Sequence, residues 1–283
     1  MTEPTANQNA AAERATVLEV AGLNVRIDTP DGEVHPVRGV DLTVHRGEIV
    51  GIVGESGCGK STTIKGILKL LGPTSKVTAD TVRLGDTDLL AAKPRQMREV
   101  RGNRVGFVAQ NPFGSLNPIY SIERQFRELH KAHGRKLSKA ENREVALGML
   151  EGVGIVNPAR VLDGYAHQLS GGMAQRVVIA LATTLSPELL IADEPTTGLD
   201  ATVQAQIMDL MARVVVEEDR SMLLVTHDLG VIAQYCQRVI VMYDGLVVEH
   251  GDVMDVMVDP QHEYTRKLIG SVPKTGEKLN VAR

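Results

Sequence analysis

Hydrophobic and polar residues alternate along two stretches near the start of the chain, 17–27 and 37–44. Because the side chains of a strand point alternately to its two faces, this alternation predicts antiparallel strands with one covered face. The runs 48–54, 188–195 and 221–228 are mostly apolar and end in glycine or polar residues, which is typical of parallel strands buried on both faces. The pattern therefore predicts an α/β protein with a parallel core and an antiparallel part.

Helical spacing of apolar residues follows the first buried run, at 61–71, and returns in a further amphipathic stretch at 201–218. Between about 111 and 185 the character of the chain is helical. Further strands are predicted at 77–84 and 104–109, with a hairpin at 239–251. This order predicts a core that is interrupted by an inserted α-helical subdomain of roughly 75 residues.

Composition narrows the class of protein. The 283 residues carry a net charge of −4, aromatic residues make up 3% and tryptophan is absent, so no nucleic-acid partner is expected. The two cysteines, Cys58 and Cys236, are too few for a disulfide framework and fit a reducing cytoplasm.

Residues 1–16 are polar and alanine-rich, which predicts a disordered leader and not a signal peptide. No apolar run approaches the roughly 18 residues of a membrane span, so any membrane role is expected to come through a partner.

The stretch GESGCGKS at 54–61 matches the phosphate-binding pattern G-x-x-x-x-G-K-[ST] between a predicted strand and a predicted helix. Its glycines allow successive backbone N–H groups to face a phosphate, and the following helix contributes its positive N-terminal end. Lys60 is expected to reach the β- and γ-phosphates, and Ser61 to ligate Mg²⁺. The alternative is a glycine-rich turn with an exposed lysine. The predicted nucleotide-binding residues here are Gly54, Glu55, Ser56, Gly57, Cys58, Gly59, Lys60, Ser61 and Thr62.

Two acidic residues, Asp193 and Glu194, end the apolar run LLIA. Ligands bind at the carboxyl ends of strands in open parallel sheets. Asp193 suits the role of a Walker B aspartate, which holds Mg²⁺ through a water molecule. Glu194 is placed to polarise an attacking water. An apolar run with this ending is equally common as a solvated strand end. The phosphate-binding loop upstream favours the catalytic interpretation.

The stretch LSGGMAQR at 169–176 resembles the signature of the ATP-binding cassette (ABC) family. Family signatures usually read LSGGQ; here Met173 replaces that glutamine and Gln175 follows two positions later. The resemblance implies a P-loop NTPase (RecA-like) core with an antiparallel β subdomain and an inserted α-helical subdomain. It also implies nucleotide contacts, made across a subunit boundary, by Ser170, Gly171, Gly172 and Gln175.

Three further residues match the order and spacing of the family. Gln110 resembles the Q-loop glutamine, which implies a role in placing Mg²⁺ and water and a link to a membrane partner. Asp200 in TTGLD resembles the D-loop aspartate, which implies nucleotide contact and coupling of two sites across a dimer. His227 in LLVTHD resembles the switch histidine, which implies sensing of the γ-phosphate.

The resemblance covers about 17–273 and narrows to one branch of the family. The stretches 110–118 and 259–273 are similar to the ATPase subunits of oligopeptide, dipeptide and nickel importers. On this basis we expect a nucleotide-binding domain at 17–258 and a tail of the same branch at 259–283.

Two departures from the family pattern affect the expected ligands. The aromatic residue that usually stacks on adenine has no clear counterpart, and His35 or Val34 is the nearest candidate. Some members of the branch carry a cysteine cluster after the tail motif that holds an iron–sulfur centre. This sequence shows no such cluster, so we expect no iron–sulfur group; the expected ligands are ATP and Mg²⁺.

The function implied by the resemblance is ATP hydrolysis, with Glu194 orienting the water, coupled to import of a solute. The implied partners are a second cassette, identical or paralogous, two transmembrane permease subunits and, indirectly, an extracytoplasmic solute-binding protein, at the cytoplasmic face of the membrane. Peptides, nickel chelates and opines are possible solutes. The alternatives are a soluble ABC-type ATPase without a transporter and an ATP-binding regulatory module that does not hydrolyse.

Overall fold

The computed structural model describes residues 14–271. The expected leader, 1–16, therefore falls almost entirely outside the described residues, and so does the end of the expected tail after residue 271. Thr16, the last residue of the expected leader, begins the first strand. Among the described residues, no helix combines the length and the apolar character needed to cross a bilayer.

The first sheet is antiparallel and has the strand order β2-β1-β5-β6, with β4 pairing to β1. Its long hairpin buries alternate residues, as the alternating sequence predicts. The expected strand at 77–84 is two strands, because the chain breaks at Asp80, whose N–H donates to the carbonyl of Ala21. The strands are β1 (Thr16–Thr29), β2 (Gly32–His45), β4 (Ser75–Thr78), β5 (Thr81–Leu84) and β6 (Thr87–Asp88).

The second sheet has six strands in the order β11-β10-β3-β9-β8-β7. All neighbours are parallel except the β10–β11 hairpin. Strands β3, β8 and β9 are buried at every residue, since both faces of this sheet are covered. The strands are β3 (Ile49–Val53), β7 (Val105–Val108), β8 (Leu189–Asp193), β9 (Ser221–Val225), β10 (Arg238–Tyr243) and β11 (Leu246–Asp252).

The helices follow the predicted order. Five of them, α3 to α7, succeed one another without a strand between β7 and β8, within the stretch expected to be a helical insertion. The helices are α1 (Lys60–Ile67), α2 (Pro94–Glu99), α3 (Pro112–Ser115), α4 (Ile122–Ala132), α5 (Lys139–Gly152), α6 (Pro158–Asp163), α7 (Gly171–Thr183), α8 (Ala201–Glu217), α9 (Leu229–Tyr235), α10 (Val253–Val258) and α11 (Glu263–Gly270).

Two hydrophobic cores hold these layers together. One lies between the antiparallel sheet, α1 and one face of the parallel sheet, and includes Leu23, Ile64 and Ile52. The other lies on the opposite face, under the helices, and includes Phe126 and Ile207. Because β3, β7, β8 and β9 run parallel, their carboxyl ends meet at one edge of the sheet, where the predicted site residues follow.

Candidate functional site

The loop between β3 and α1 is the predicted phosphate-binding loop. Its glycines Gly54, Gly57 and Gly59 all have positive φ, a region that other residues rarely adopt. Gly59 also has no room for a side chain, since a Cβ there would lie 2.2 Å from the carbonyl oxygen of Pro36. The residue type at Gly59 is thus set both by backbone conformation and by the close approach of β2.

The ammonium group of Lys60 is turned into this loop. Its Nζ donates to the carbonyl oxygens of Gly54 at 2.7 Å and Glu55 at 2.8 Å, and the residue is only 4% exposed. A buried cation held by two carbonyls of the loop can exchange them for phosphate oxygens at little cost in orientation. The alternative of a glycine-rich turn with an exposed lysine is not what the structure has.

The start of α1 meets the end of β8 through a hydrogen bond from Ser61 Oγ to Asp193 Oδ1, 2.7 Å long. Burial raises the pKa of the Asp193 carboxyl, and the hydrogen bond from Ser61 only partly opposes this. A buried carboxylate beside a hydroxyl is a pair of hard oxygen donors, and a cation would offset the desolvation of the carboxylate. The donor set therefore fits Mg²⁺.

Glu194 has an unusual backbone for a residue that is not glycine, with φ at 47°. Its N–H donates to the carbonyl oxygen of Val225 at 2.9 Å, which ties this conformation to the neighbouring strand β9. Positive φ at such residues concentrates at functional sites, where the surrounding structure holds it in place. The turn directs the Glu194 side chain away from the course of β8.

Three polar groups converge on Oε2 of Glu194. Gln110 Nε2 donates at 2.9 Å and Thr197 Oγ1 at 3.0 Å, and Nδ1 of His227 lies 3.5 Å away. Gln110 follows β7 and His227 follows β9, so the strands that flank β8 each deliver one side chain. The structure thus brings together Gln110, Glu194 and His227, which come from three separate motifs of the sequence.

The segment after His227 is linked to the segment that carries Asp200. Asp200 caps α8 by accepting from the N–H groups of Thr202 and Val203. Gln204, one turn into the same helix, donates from Nε2 to Asp228 Oδ2 at 2.8 Å. This hydrogen bond ties the segment that follows His227 to the helix whose N-cap is Asp200.

The signature stretch forms the start of α7, where Ser170 is the N-cap and accepts from the N–H of Met173. Gly172 packs tightly on α8, since a Cβ would lie 2.8 Å from Val203 Cγ1. Among residues 14–271, no hydrogen bond joins Ser170, Gly171 or Gly172 to the phosphate-binding loop.

Gln175 and His35 are two further residues predicted to contact nucleotide. Gln175 is 1% exposed, so its side chain lies in the core and not where a facing nucleotide could reach it. The reason is helical spacing, because Val178 and Ile179, three and four residues later on α7, belong to the core. His35 is half-buried, and its Nε2 lies 3.2 Å from Asn24 Oδ1, which holds the ring by its edge.

Three residues of the site region were not predicted from the sequence: Thr197, Gln204 and Tyr264. Thr197 lies three residues after Glu194, a spacing typical of side chains that meet over a tight turn, and this signal was readable. Tyr264 is joined to Glu55 across 209 residues of sequence, and no local pattern predicts such a contact.

Fold and loop together define a P-loop α/β protein of the RecA-like kind. The family described as ABC transporter matches residues 37–197. Several curated proteins are similar over nearly the whole chain. A probable peptide ABC transporter ATP-binding protein of Sinorhizobium fredii is 48% identical over 258 residues, 91% of this chain and 77% of that protein. The dipeptide transport ATP-binding protein DppD of Bacillus subtilis is 46% identical over 259 residues, again 91% and 77%. The chain belongs to the ABC transporter family.

Solved structures agree with this membership. The chain is similar to a dimeric, post-hydrolysis structure of the ATP-binding cassette MJ0796 bound to ADP and Pi, with a TM-score of 0.72 and 28% identity over 83% of this chain and 98% of that one. It is also similar to cbiO1 from Clostridium perfringens, part of the transporter complex cbiONQ, with a TM-score of 0.72 and 28% identity over 93% and 98%. The expected family, its peptide-importer branch and the expected fold class are confirmed.

Proposed function

We propose that this chain is the ATP-binding and ATP-hydrolysing subunit of an ABC importer for peptides or dipeptides. The observation that carries the proposal is the convergence, at one sheet edge, of the Lys60 loop, the Ser61–Asp193 pair and the groups around Glu194. The names of the relatives, which include peptide and dipeptide transport proteins, support peptides over nickel chelates or opines as the solute.

In this proposal, the loop 54–62 binds the phosphates of ATP through its backbone N–H groups and Lys60. Ser61, Asp193 and Gln110 are the residues that would hold Mg²⁺. When bound, the ion neutralises charge on the phosphate oxygens. Glu194 orients the attacking water and accepts its proton. Its carboxylate is kept in place by Gln110 and Thr197 until substrate and water replace these donors.

Hydrolysis is proposed to need two chains. Ser170 and Gly171 lie at the exposed start of α7, and their N–H groups and the helix end form an anion-binding surface that the chain's own loop does not use. A second cassette, identical or paralogous, would present this surface to the nucleotide on Lys60. The dimeric cassette among the structural relatives supports this pairing.

We propose that the permease subunits attach at the groove between α4, α7 and the strand β7. The groove has a volume of about 420 Å³ and is lined by apolar side chains that include Phe107, Leu129 and Val178. After Gln110 the chain exposes Phe113 and Ile119, the latter 76% exposed. An apolar permease segment placed here would contact the same stretch that reaches Glu194, at the cytoplasmic face of the membrane.

The catalytic part is tested by Glu194→Gln in the purified full chain. We expect the rate of ATP hydrolysis to fall by about 100-fold or more, because the variant loses the carboxylate that accepts the proton. ATP binding is expected to be retained. Glu144→Gln, the same change at an exposed position on α5, is the control. Wild-type hydrolysis by Glu194→Gln would refute the assignment of Glu194.

The transport part is tested by membrane co-purification with the permeases of the same transporter. Ile119→Asp is expected to abolish co-purification without changing ATP binding, because a charge would enter the apolar contact. Val216→Asp, at a position 74% exposed on α8, is the control. Recovery of the wild-type chain free of any membrane protein would favour a soluble ATPase instead.

A further inference from the structure

The last described helix, α11, touches the phosphate-binding loop. The hydroxyl oxygen of Tyr264 accepts a hydrogen bond, 2.9 Å long, from the N–H of Glu55. Tyr264 is 8% exposed and its ring packs in the core. Glu55 is the second residue of the loop and directly precedes the turn of Ser56 and Gly57, so the tyrosine holds the loop at the point where it leaves β3.

The start of α11 is itself fixed to the parallel sheet. Glu249 on β11 accepts from the N–H groups of Gln261 at 2.7 Å and His262 at 3.0 Å. His262 caps the helix, because its Nδ1 accepts from the N–H of Tyr264. These hydrogen bonds tie the start of α11 to β11 and position Tyr264 beside the loop.

A second contact joins the same region to the loop. The ring of Tyr243, at the end of β10, lies 4.4 Å from the ring of Tyr264, centroid to centroid. Two residues further, the N–H of Gly245 donates to the carbonyl oxygen of Cys58 at 3.0 Å. The loop is thus held from the β10–β11 turn on one side and from α11 on the other.

From this arrangement we propose that α11 is a brace for the phosphate-binding loop and that Tyr264 is its positioning residue. The hydroxyl of Tyr264 satisfies the partly buried N–H of Glu55 and fixes the loop in the conformation that binds phosphate, so less ordering remains to be done when a nucleotide arrives. The inference rests on the proposed function, because it assigns to α11 a part in binding ATP.

The test is Tyr264→Phe in the full chain, which removes the hydroxyl and keeps the ring. We expect the dissociation constant and the KM for ATP to rise by about 3- to 10-fold, the effect of one neutral hydrogen bond, with kcat nearly unchanged. Tyr243→Phe is the matched control, since it makes the same change in the neighbouring, tilted ring, whose hydroxyl has no hydrogen bond within residues 14–271. Its ATP affinity is expected to equal that of the wild type.

Glu249→Gln provides a second variant that leaves both the loop and Tyr264 intact. It replaces one acceptor oxygen at the start of α11 by an NH₂ group and is expected to weaken ATP binding in the same direction, by about 2- to 3-fold. If Tyr264→Phe does not fold, Glu249→Gln tests the proposal in its place.

The outcomes separate the brace from the proposed function. If the wild type binds no ATP, the proposed function is wrong and the brace falls with it. Wild-type ATP affinity in Tyr264→Phe, or an equal loss in Tyr243→Phe, overturns the brace alone. A lower unfolding temperature of Tyr264→Phe with unchanged KM would mean that the tyrosine serves stability only, which also overturns it.

Discussion

The two glycine-rich stretches of the chain use glycine for different reasons. In GESGCGKS, glycine provides positive φ and lets β2 approach the loop closely. In LSGGMAQR, Gly171 and Gly172 are ordinary helical residues at the start of α7, and Gly172 is small because α8 packs against it. GESGCGKS forms the phosphate-binding loop, a cradle that encloses its own buried lysine, Lys60. The other stretch is a helix end whose polar groups face outward.

In the proposed dimer, this difference accounts for one chain carrying both stretches so far apart in sequence. The cradle is completed within the chain by Lys60, Asp193 and Tyr264. The helix end at Ser170 is capped by its own side chain, and the proposed function assigns its surface to the nucleotide of a second cassette. A composite site shared by two chains needs these two kinds of surface, one on each side.

The largest expected effect comes from damaging the two stretches separately and then mixing the variants. Lys60→Ala should weaken ATP binding roughly 10- to 100-fold, because it removes charge-assisted hydrogen bonds to phosphate. Gly171→Asp should leave binding to the single chain unchanged but stop hydrolysis, because its carboxylate would repel the nucleotide of the facing chain. Asp at the first position of a helix is favourable to the helix, so folding should be retained.

Mixing tests whether the two stretches meet across chains. A mixed dimer has one site made from the intact loop of Gly171→Asp and the intact signature of Lys60→Ala. If the two sites act independently, the mixture should recover up to about a quarter of wild-type hydrolysis, measured as phosphate release. Absence of any recovery, with each variant folded, would argue that both stretches act on the same nucleotide within one chain.

The second effect is on stability and compares single alanine substitutions. Gly59→Ala should lower the free energy of unfolding by about 2–4 kcal/mol, because a Cβ would meet the carbonyl oxygen of Pro36 and φ is positive. Gly171→Ala should change it by less than about 0.5 kcal/mol, since its Cβ would lie 3.4 Å from Leu199 Cδ2. Urea unfolding of both variants measures the difference. Equal losses would mean that the two stretches do not differ in the way described.

Features formed by segments adjacent in the chain were predictable from the sequence. The loop and the strand end at Asp193 and Glu194 were predictable, because strand, loop and helix are adjacent in the chain and each has a local pattern. The order of elements and both kinds of sheet were predictable from periodicity for the same reason.

Contacts between distant segments were not predictable in this way. The burial of Gln175 depends on what packs against α7, although its spacing from Val178 was a readable signal. The contact of Tyr264 with Glu55, and that of Gln204 with Asp228, depend on how separate elements fold together. Family resemblance supplied a motif for the tail but no contact for it.

The smallest effect concerns the accessibility of the two stretches to a thiol reagent. Burial raises the pKa of the Cys58 thiol, although the nearby Lys60 ammonium opposes the shift. An exposed cysteine in place of Ser170, at a helix N-terminus, has a lowered thiol pKa. Iodoacetamide at pH 8 should therefore modify Ser170→Cys at least about 10-fold faster than Cys58.

The pH dependence of the two alkylation rates tests the same comparison further, and Cys236 serves as its control. Below the raised pKa of Cys58 the thiolate fraction grows about tenfold per pH unit, so the rate at Cys58 should rise about tenfold from pH 7 to pH 8, and the rate at Ser170→Cys by less. Cys236, whose pKa burial raises to about 12, is the internal slow reference. Equal rates at Cys58 and Ser170→Cys, by mass spectrometry of the labelled peptides, would show that the loop is as open as the helix end and would remove the distinction between them.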